Sequence, residues 1–178
     1  MVTKAELRSR VRDLKKAAAR EDMEAQSLAV CHKVMRLPRW REARTVLLYH
    51  ALPDEVDTQR LLEAALREGK TVLLPVVVGD ELELRCYEGT LCEGAFHILE
   101  PTSSSPLFDR YADIDLALIP GMGFDDRGHR LGRGKGYYDK LLSHCQGVYK
   151  VGICFGFQRC GEVPCEPHDI PMDEVISG

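Results

Sequence analysis

The 178-residue sequence is poor in aromatic side chains, at 7% with a single Trp. Single-stranded nucleic acid is usually held by bases stacking on aromatic platforms. Trp40 stands alone in residues 1–44, so such a surface is poorly supported. Long apolar runs are also missing. The longest, residues 72–78, is interrupted by Pro75, whereas a membrane-spanning helix needs about 20 apolar residues. The start, MVTKAELRSRVRDLKK, has no apolar h-region, so no secretory leader is expected and the chain reads as cytoplasmic. The seven cysteines, Cys31, Cys86, Cys92, Cys145, Cys154, Cys160 and Cys165, contain no CxxC pair and are odd in number. That argues against a disulfide framework and for free thiols in a reducing compartment. Cys154, Cys160, Cys165 and His168 lie near one another, but without paired spacing they make a poor zinc site.

What is present is an ordinary globular composition, 44% hydrophobic and 29% charged, with a formal net charge of −4. The charge is unevenly spread. Residues 1–44 hold 12 basic and 6 acidic side chains, and residues 45–178 hold 12 basic and 22 acidic. Such asymmetry points to an anionic partner.

Thr3 followed by Glu6 has the form of a capping box, and apolar residues then recur at helical spacing to about Leu37, with a break expected near Glu21-Asp22. Pro38 stops that helix. TVLLYHAL (45–52) predicts a buried strand, DEVDTQRLLEAALREGK (54–70) an amphipathic helix and TVLLPVVV (71–78) a second strand, together a βαβ unit with parallel strands. ELELRCY (81–87) alternates like a half-solvated strand, and residues 88–113 read as loop, with PTSSSP (101–106) its most mobile part. Further strands are expected at 113–120, at 149–156 and at the terminal EVIS, and a helix at 137–145. No repeat or long linker divides the chain. The alternation predicts a single-domain, three-layer α/β/α fold with a Rossmann-like, largely parallel sheet.

The chemistry concentrates in PGMGFDDRGHRLGRGKGYYDKLL (120–142), between a strand end and a helix start, where open α/β sheets collect ligands. Gly132, Gly134 and Gly136 alternate with Arg133 and Lys135, so backbone can approach an anion while cations reach around it, and helix amides after Gly136 add partial positive charge. Neither a Walker A loop nor a GxGxxG fingerprint is present: Gly123 and Gly128 have the Walker separation, but His129 follows. Residues 127–140 carry five Lys or Arg and one acid, and such crowding of cations calls for an anion.

This segment resembles the hallmark of the 5-formyltetrahydrofolate cyclo-ligase (methenyltetrahydrofolate synthetase) family, PGxxFDxxGxRLGxGKGYYD, at every fixed position from Pro120 to Asp139. The likeness extends to Lys4 with Arg8, HALPDEVDT (50–58), LLP (73–75), GFQ (156–158) and HDIPMDEV (168–175). It implies a fold similar to sugar-phosphate isomerases and CoA transferases, and an ATP- and Mg²⁺-dependent conversion of 5-formyltetrahydrofolate to 5,10-methenyltetrahydrofolate with release of ADP and phosphate. Its partners would be these small molecules, the folate with or without a polyglutamate tail, with no nucleic acid and no membrane, and the protein would act as a monomer.

By resemblance, ATP is bound by Lys4, Arg8 and the loop Arg130, Leu131, Gly132, Arg133, Gly134, Lys135, Gly136, Tyr137 and Tyr138. Arg133, Lys135 and Tyr137 are the expected catalytic residues. The folate is expected to meet Arg8, His50, Glu55 and residues 133–137 (Arg133, Gly134, Lys135, Gly136, Tyr137), with Glu55 accepting paired hydrogen bonds from the pterin and Tyr137 lying against it. Asp139 and Asp173 match the metal carboxylates, with Asp169 the rival of Asp173. Bland readings exist for several: Glu55 as a solvated loop acid, His50 as a core histidine, Tyr137 as a helix anchor, Asp139 as a first-turn acid complementing the helix dipole. His129 reads as loop filling. Two other functions fit a Gly-basic loop without the family likeness, a non-catalytic nucleotide- or RNA-binding protein and a sugar-phosphate isomerase.

Overall fold

The computed structural model describes residues 2–94 and 97–178. Helix α1 (Lys4–Ala17) starts at Thr3, whose hydroxyl and backbone exchange hydrogen bonds with Glu6 in the expected capping box. Helix α2 (Arg20–Arg36) follows after two extended residues. The expected break near Glu21-Asp22 therefore falls three residues earlier: these acids occupy the first turn of α2, where they complement the positive end of the helix. Leu37 is extended, as the residue before a proline tends to be, and Pro38 then serves as the first residue of the short α3 (Pro38–Glu42).

The main sheet has seven strands, in the order β11-β10-β7-β1-β2-β3-β6. Strands β1 (Thr45–Leu47), β2 (Thr71–Val78), β7 (Leu116–Ile119), β10 (Tyr149–Cys154) and β11 (Glu174–Ser177) are parallel. The antiparallel β3 (Glu81–Cys86) and β6 (Leu107–Phe108) close one edge. Side chains alternate between the two faces. Val46, Leu48, Val72, Leu74, Leu116 and Leu118 pack with α2, α3 and α4 (Gln59–Arg67) around buried Trp40. Their neighbours Leu47, Leu73, Ala117 and Ile119 pack on the other side with Leu141 and Leu142 of α5 (Tyr137–Ser143). A parallel sheet with apolar residues on both faces must be covered on both, which is the reason for three layers. Outside them, Leu7 and Val11 dock α1 on a small cluster with Met122, Leu131 and Val163.

The differences from expectation lie at strand and helix ends. Strand β1 leaves the ladder after Leu47, because residues 49–52 peel off the carboxyl edge, and Tyr49, His50 and Leu52 wall a cavity there. Helix α4 begins at Gln59 rather than at residue 54, so Asp54 and Glu55 stand in a loop. Within the supposed loop 88–113, β4 (Leu91–Glu93) pairs with β5 (Leu99–Pro101). Residues 102–105 form a turn whose carbonyls at Ser103 and Ser105 accept from the Arg85 guanidinium. The cysteines are free, as expected. Among the described residues, no helix is long and apolar enough to cross a membrane.

Candidate active site

The segment after β7 is built as a hairpin, β8 (Gly123–Phe124) against β9 (Arg130–Leu131), followed by the glycine-basic loop and α5. Phe124 is buried against Gly152 of β10, where a Cβ would overlap its ring. Asp125, 2% exposed, accepts hydrogen bonds from the backbone N–H groups of Arg127, His129 and Val163 at 2.9–3.0 Å and pairs with the His129 ring at 2.9 Å. Burial pushes its carboxyl up, but these donors outweigh burial and hold it below the ordinary 3.8. The amide of Gln158, from GFQ, donates to the carbonyls of Gly121 and Met122. These polar groups of the motif shape the loop rather than face a ligand, His129 included.

Gly134 (φ 109°) and Gly136 (φ 69°) take left-handed backbone, which side-chain-bearing residues rarely adopt, and Gly136 leads directly into α5 with no side-chain cap on its amides. The loop borders a cavity of about 530 Å³ at the carboxyl ends of β1, β2 and β7, of the size that holds a cofactor or drug-sized ligand. Several separate stretches of chain meet there, four of them carrying the expected site residues. Lys4 and Arg8 come from α1, His50 and Glu55 from the loop after β1, Arg130 and Gly132 to Asp139 from the motif, and Glu166, His168 and Asp169 from the last loop, whereas Leu131 of the expected ATP loop turns away from the cavity and packs with Leu7 and Val11 of α1.

The charges of these residues are mutually arranged. Arg133 donates through Nη2 to Asp54 at 2.9 Å and to Glu55 at 3.1 Å. Partial burial pulls the guanidinium down, but the two carboxylates outweigh it and raise it, so Arg133 is held firmly charged. Arg130 is turned inward, its side chain 6% exposed, with Nη2 on Asp139 at 2.9 Å and the group stacked over Tyr138. Lys140 pairs with Asp80 at 3.0 Å. The crowding of five cations in residues 127–140 is thus relieved by partners that are mostly distant in sequence. Among the described residues, Lys135 has no protein acceptor and is exposed beside the cavity.

Lys4 donates to Asp169 at 2.6 Å and Glu166 at 3.0 Å. Desolvation lowers its amine, and the two acids more than reverse that. The Arg8 Nε donates to the Gly132 carbonyl at 2.8 Å. Tyr137 reaches across the cavity mouth, its hydroxyl donating to the Gly79 carbonyl at 3.4 Å. Burial pushes the Tyr138 hydroxyl up, so it stays protonated.

Asp173 is the exception. It lies outside this cavity, at the amino-terminal edge of the sheet, where its carboxylate accepts from the backbone N–H of Lys150 at 2.7 Å and from its ammonium at 2.8 Å. A residue immediately before β11 in a parallel sheet sits at the end opposite a site built on strand carboxyl termini, so Asp139 and Asp173 are not brought together. Asp169 is at the cavity instead. Asp139 and Glu166 line the cavity too, and carboxylate oxygens are the hard donors that Mg²⁺ takes, while the Asp139 oxygens here accept from Arg130 and from the Ile170 N–H. Glu166, His168 and Asp169 gather potential ligand atoms within 4.8 Å of one another.

Sequence reasoning missed the wall formed by Ile98, Leu99 and Glu100, the last 8% exposed and accepting from the Val77 N–H at 3.4 Å. It also missed Asp54 and Lys15, which meet at 3.0 Å. The three-residue strands around Ile98 are too short to show a pattern, and the Lys15–Asp54 pair is 39 residues apart.

Fold and cavity together define an open α/β protein with an anion-receptive cleft on the carboxyl ends of its strands. Residues 1–178, the whole chain, match the model of the 5-formyltetrahydrofolate cyclo-ligase family, and the chain belongs to that family. It is 34% identical to a probable 5-formyltetrahydrofolate cyclo-ligase of Schizosaccharomyces pombe, over 87% of this chain and 85% of the relative. It is 30% identical to the 5-formyltetrahydrofolate cyclo-ligase of mouse, over 97% and 90%. The solved structure of a 5,10-methenyltetrahydrofolate synthetase from Aquifex aeolicus superposes with a TM-score of 0.86 at 35% identity, covering 98% of this chain and 89% of that one. The corresponding synthetase of Mycoplasma pneumoniae superposes with a TM-score of 0.80 at 26% identity, covering 98% of each chain.

Proposed function

We propose that the protein converts 5-formyltetrahydrofolate and ATP to 5,10-methenyltetrahydrofolate, ADP and phosphate, acting as a cytoplasmic monomer on small-molecule substrates. The observation that carries this reading is the convergence of Lys4, Arg8, Glu55, Arg133, Lys135, Tyr137 and Asp139 on one cavity in a chain of this family.

A formyl oxygen on nitrogen is a poor leaving group and has to be activated. The formyl oxygen attacks the γ-phosphorus and the bond to ADP breaks, leaving a phosphorylated imidate. N10 then attacks the formyl carbon, loses its proton, and the C–O bond breaks as phosphate departs, closing the methenyl ring. Lys135 is the natural ligand of the transferring phosphoryl group, since it borders the cavity and, among the described residues, has no carboxylate partner. A cation about 4 Å from a phosphate oxygen interacts by about 4 kcal/mol at an effective dielectric near 20. Arg133, tethered by one nitrogen, keeps Nε–H and Nη1–H donors for phosphate or the formyl oxygen. Glu55 suits the pterin N–H groups, and Tyr137 and the apolar wall of Leu74, Pro75 and Val77 suit its ring. Mg²⁺, held through Asp139 and Asp169 with phosphate oxygens, would neutralise phosphate charge.

The RNA-clamp alternative is disfavoured because Arg130, Arg133 and Lys140 are already paired with carboxylates. The test is to mix the protein with 5-formyltetrahydrofolate and Mg²⁺ and follow the near-ultraviolet absorption of the methenyl product. A rise that depends on ATP is expected, and its absence overturns the reading.

A further inference from the structure

Helix α1 carries three cations on the stripe that faces the protein, Lys4, Arg8 and Lys15. They lie four and eleven residues apart, close to one and three full turns. Each reaches a different loop of the cleft: Lys4 the last loop, Arg8 the Gly132 carbonyl, and Lys15 the Asp54 carboxylate at 3.0 Å. The first two belong to the family likeness. Lys15 does not, yet its side chain is only 6% exposed, which is unusual for a lysine on a surface helix.

Asp54 uses its two oxygens differently. Oδ2 accepts from Lys15, and Oδ1 accepts from Arg133 Nη2, which also donates to Glu55. The result is a row of alternating charges, Lys15, Asp54, Arg133, Glu55, running from the outer helix to the wall of the cavity. Desolvation pushes the Asp54 carboxyl up, and Lys15 followed by Arg133 outweighs it, so the carboxylate is held ionised.

We infer that Lys15 and Asp54 are positioning residues for substrate binding: Lys15 anchors Asp54, and Asp54 shares the Arg133 guanidinium with Glu55. Two consequences follow from the geometry. Arg133 stands on an exposed glycine-flanked loop that cannot orient it alone, so its aim depends on the carboxylates it meets. Glu55, which also accepts from the Leu52 N–H at 3.0 Å, is spared carrying the whole guanidinium charge and keeps acceptor capacity for the folate. Without Lys15, Asp54 loses its anchor and Arg133 shifts its weight onto Glu55, so both substrates lose preorganised partners.

The inference rests on the cyclo-ligase reading, and a double-mutant cycle with steady-state kinetics tests it. Wild type, Lys15→Met, Asp54→Asn and the double variant are compared, each checked for native far-ultraviolet circular dichroism. Contacting residues are energetically coupled, so Lys15→Met is expected to raise KM for 5-formyltetrahydrofolate or ATP about 5- to 10-fold, with kcat changed less than about 3-fold. In the Asp54→Asn background the same substitution should change KM by less than about 2-fold, and Lys15→Arg should restore most of the loss. An equal effect in both backgrounds, an unchanged KM, or a fall in kcat alone overturns the inference. If wild type shows no turnover at all, it is the cyclo-ligase reading that fails. Calorimetric binding of ATP and of 5-formyltetrahydrofolate to wild type and Lys15→Met then decides the positioning role separately, equal affinities for both ligands overturning it.

Discussion

The pair between Arg130 and Asp139 allows the sharpest separation of folding from chemistry. The side chains are 6% and 17% exposed, and they meet at 2.9 Å. Besides its stacking over Tyr138 the guanidinium has few other partners: Nη1 donates to the Pro120 carbonyl at 3.4 Å, and among the described residues Nε is buried without an acceptor. Replacing Asp139 with Ala leaves that charge buried and nearly unpartnered. Breaking a buried pair by removing one member costs about 3–5 kcal/mol, and because this one borders a cleft that water can enter, screening reduces the cost to about 2–3 kcal/mol. Loss of the hydrogen bond from the Ile170 N–H adds about 1 kcal/mol. For a domain near 180 residues each kcal/mol moves the midpoint about 2–4 °C, so Asp139→Ala should melt roughly 6–16 °C below wild type by scanning calorimetry. The double variant Arg130→Met, Asp139→Leu, which removes both charges, should recover most of that loss, since apolar replacements of a buried pair are often neutral. It should recover no turnover, because a cyclo-ligase site without Asp139 has lost its proposed metal carboxylate. A single variant melting within about 1 °C of wild type, or a double variant less stable than the single, would refute the argument.

Lys135→Ala should leave the melting midpoint unchanged, because no protein acceptor is lost, and lower kcat/KM about 100-fold or more; a rate near wild type shows that the phosphate-facing cation is another residue. Asp125 has a folded-state pKa below 3.8, so its contribution to stability is complete above the unfolded value and fades as pH falls through the folded one. Asp125→Asn should therefore destabilise the protein at pH 7 in urea titrations, with a difference from wild type that shrinks below about pH 4; a constant difference across that range contradicts the assignment. Burial pushes the thiols of Cys31 and Cys145 up to about 11 and of Cys154 up to about 12, while Cys92 and Cys165 are exposed. An aromatic disulfide reagent at pH 8 should label Cys92 and Cys165 rapidly in the native protein and those three only after unfolding, as read by mass spectrometry.

Much of this molecule is written locally in its sequence. The apolar run at 72–78 and the helical spacing of the βαβ unit, the Thr3–Glu6 cap, and the glycines that permit left-handed backbone at 134 and 136 all act over a few residues, and the fold follows from burying the two faces of each strand. The cavity-lining positions of Lys4, Arg8, His50, Glu55, Arg133, Lys135, Tyr137 and Asp139 were reachable only because the motif text resembles a family. Tertiary structure decided which charges meet. Arg133 finds Asp54 across 79 positions, Lys4 finds Asp169 across 165, and Asp173 is spent on Lys150 at the wrong end of the sheet. A count of charges along the chain suggested five crowded cations seeking an anion. In the folded protein three of them are answered by carboxylates, because electrostatic energy depends on separation in space and on burial, and the linear order of residues records neither.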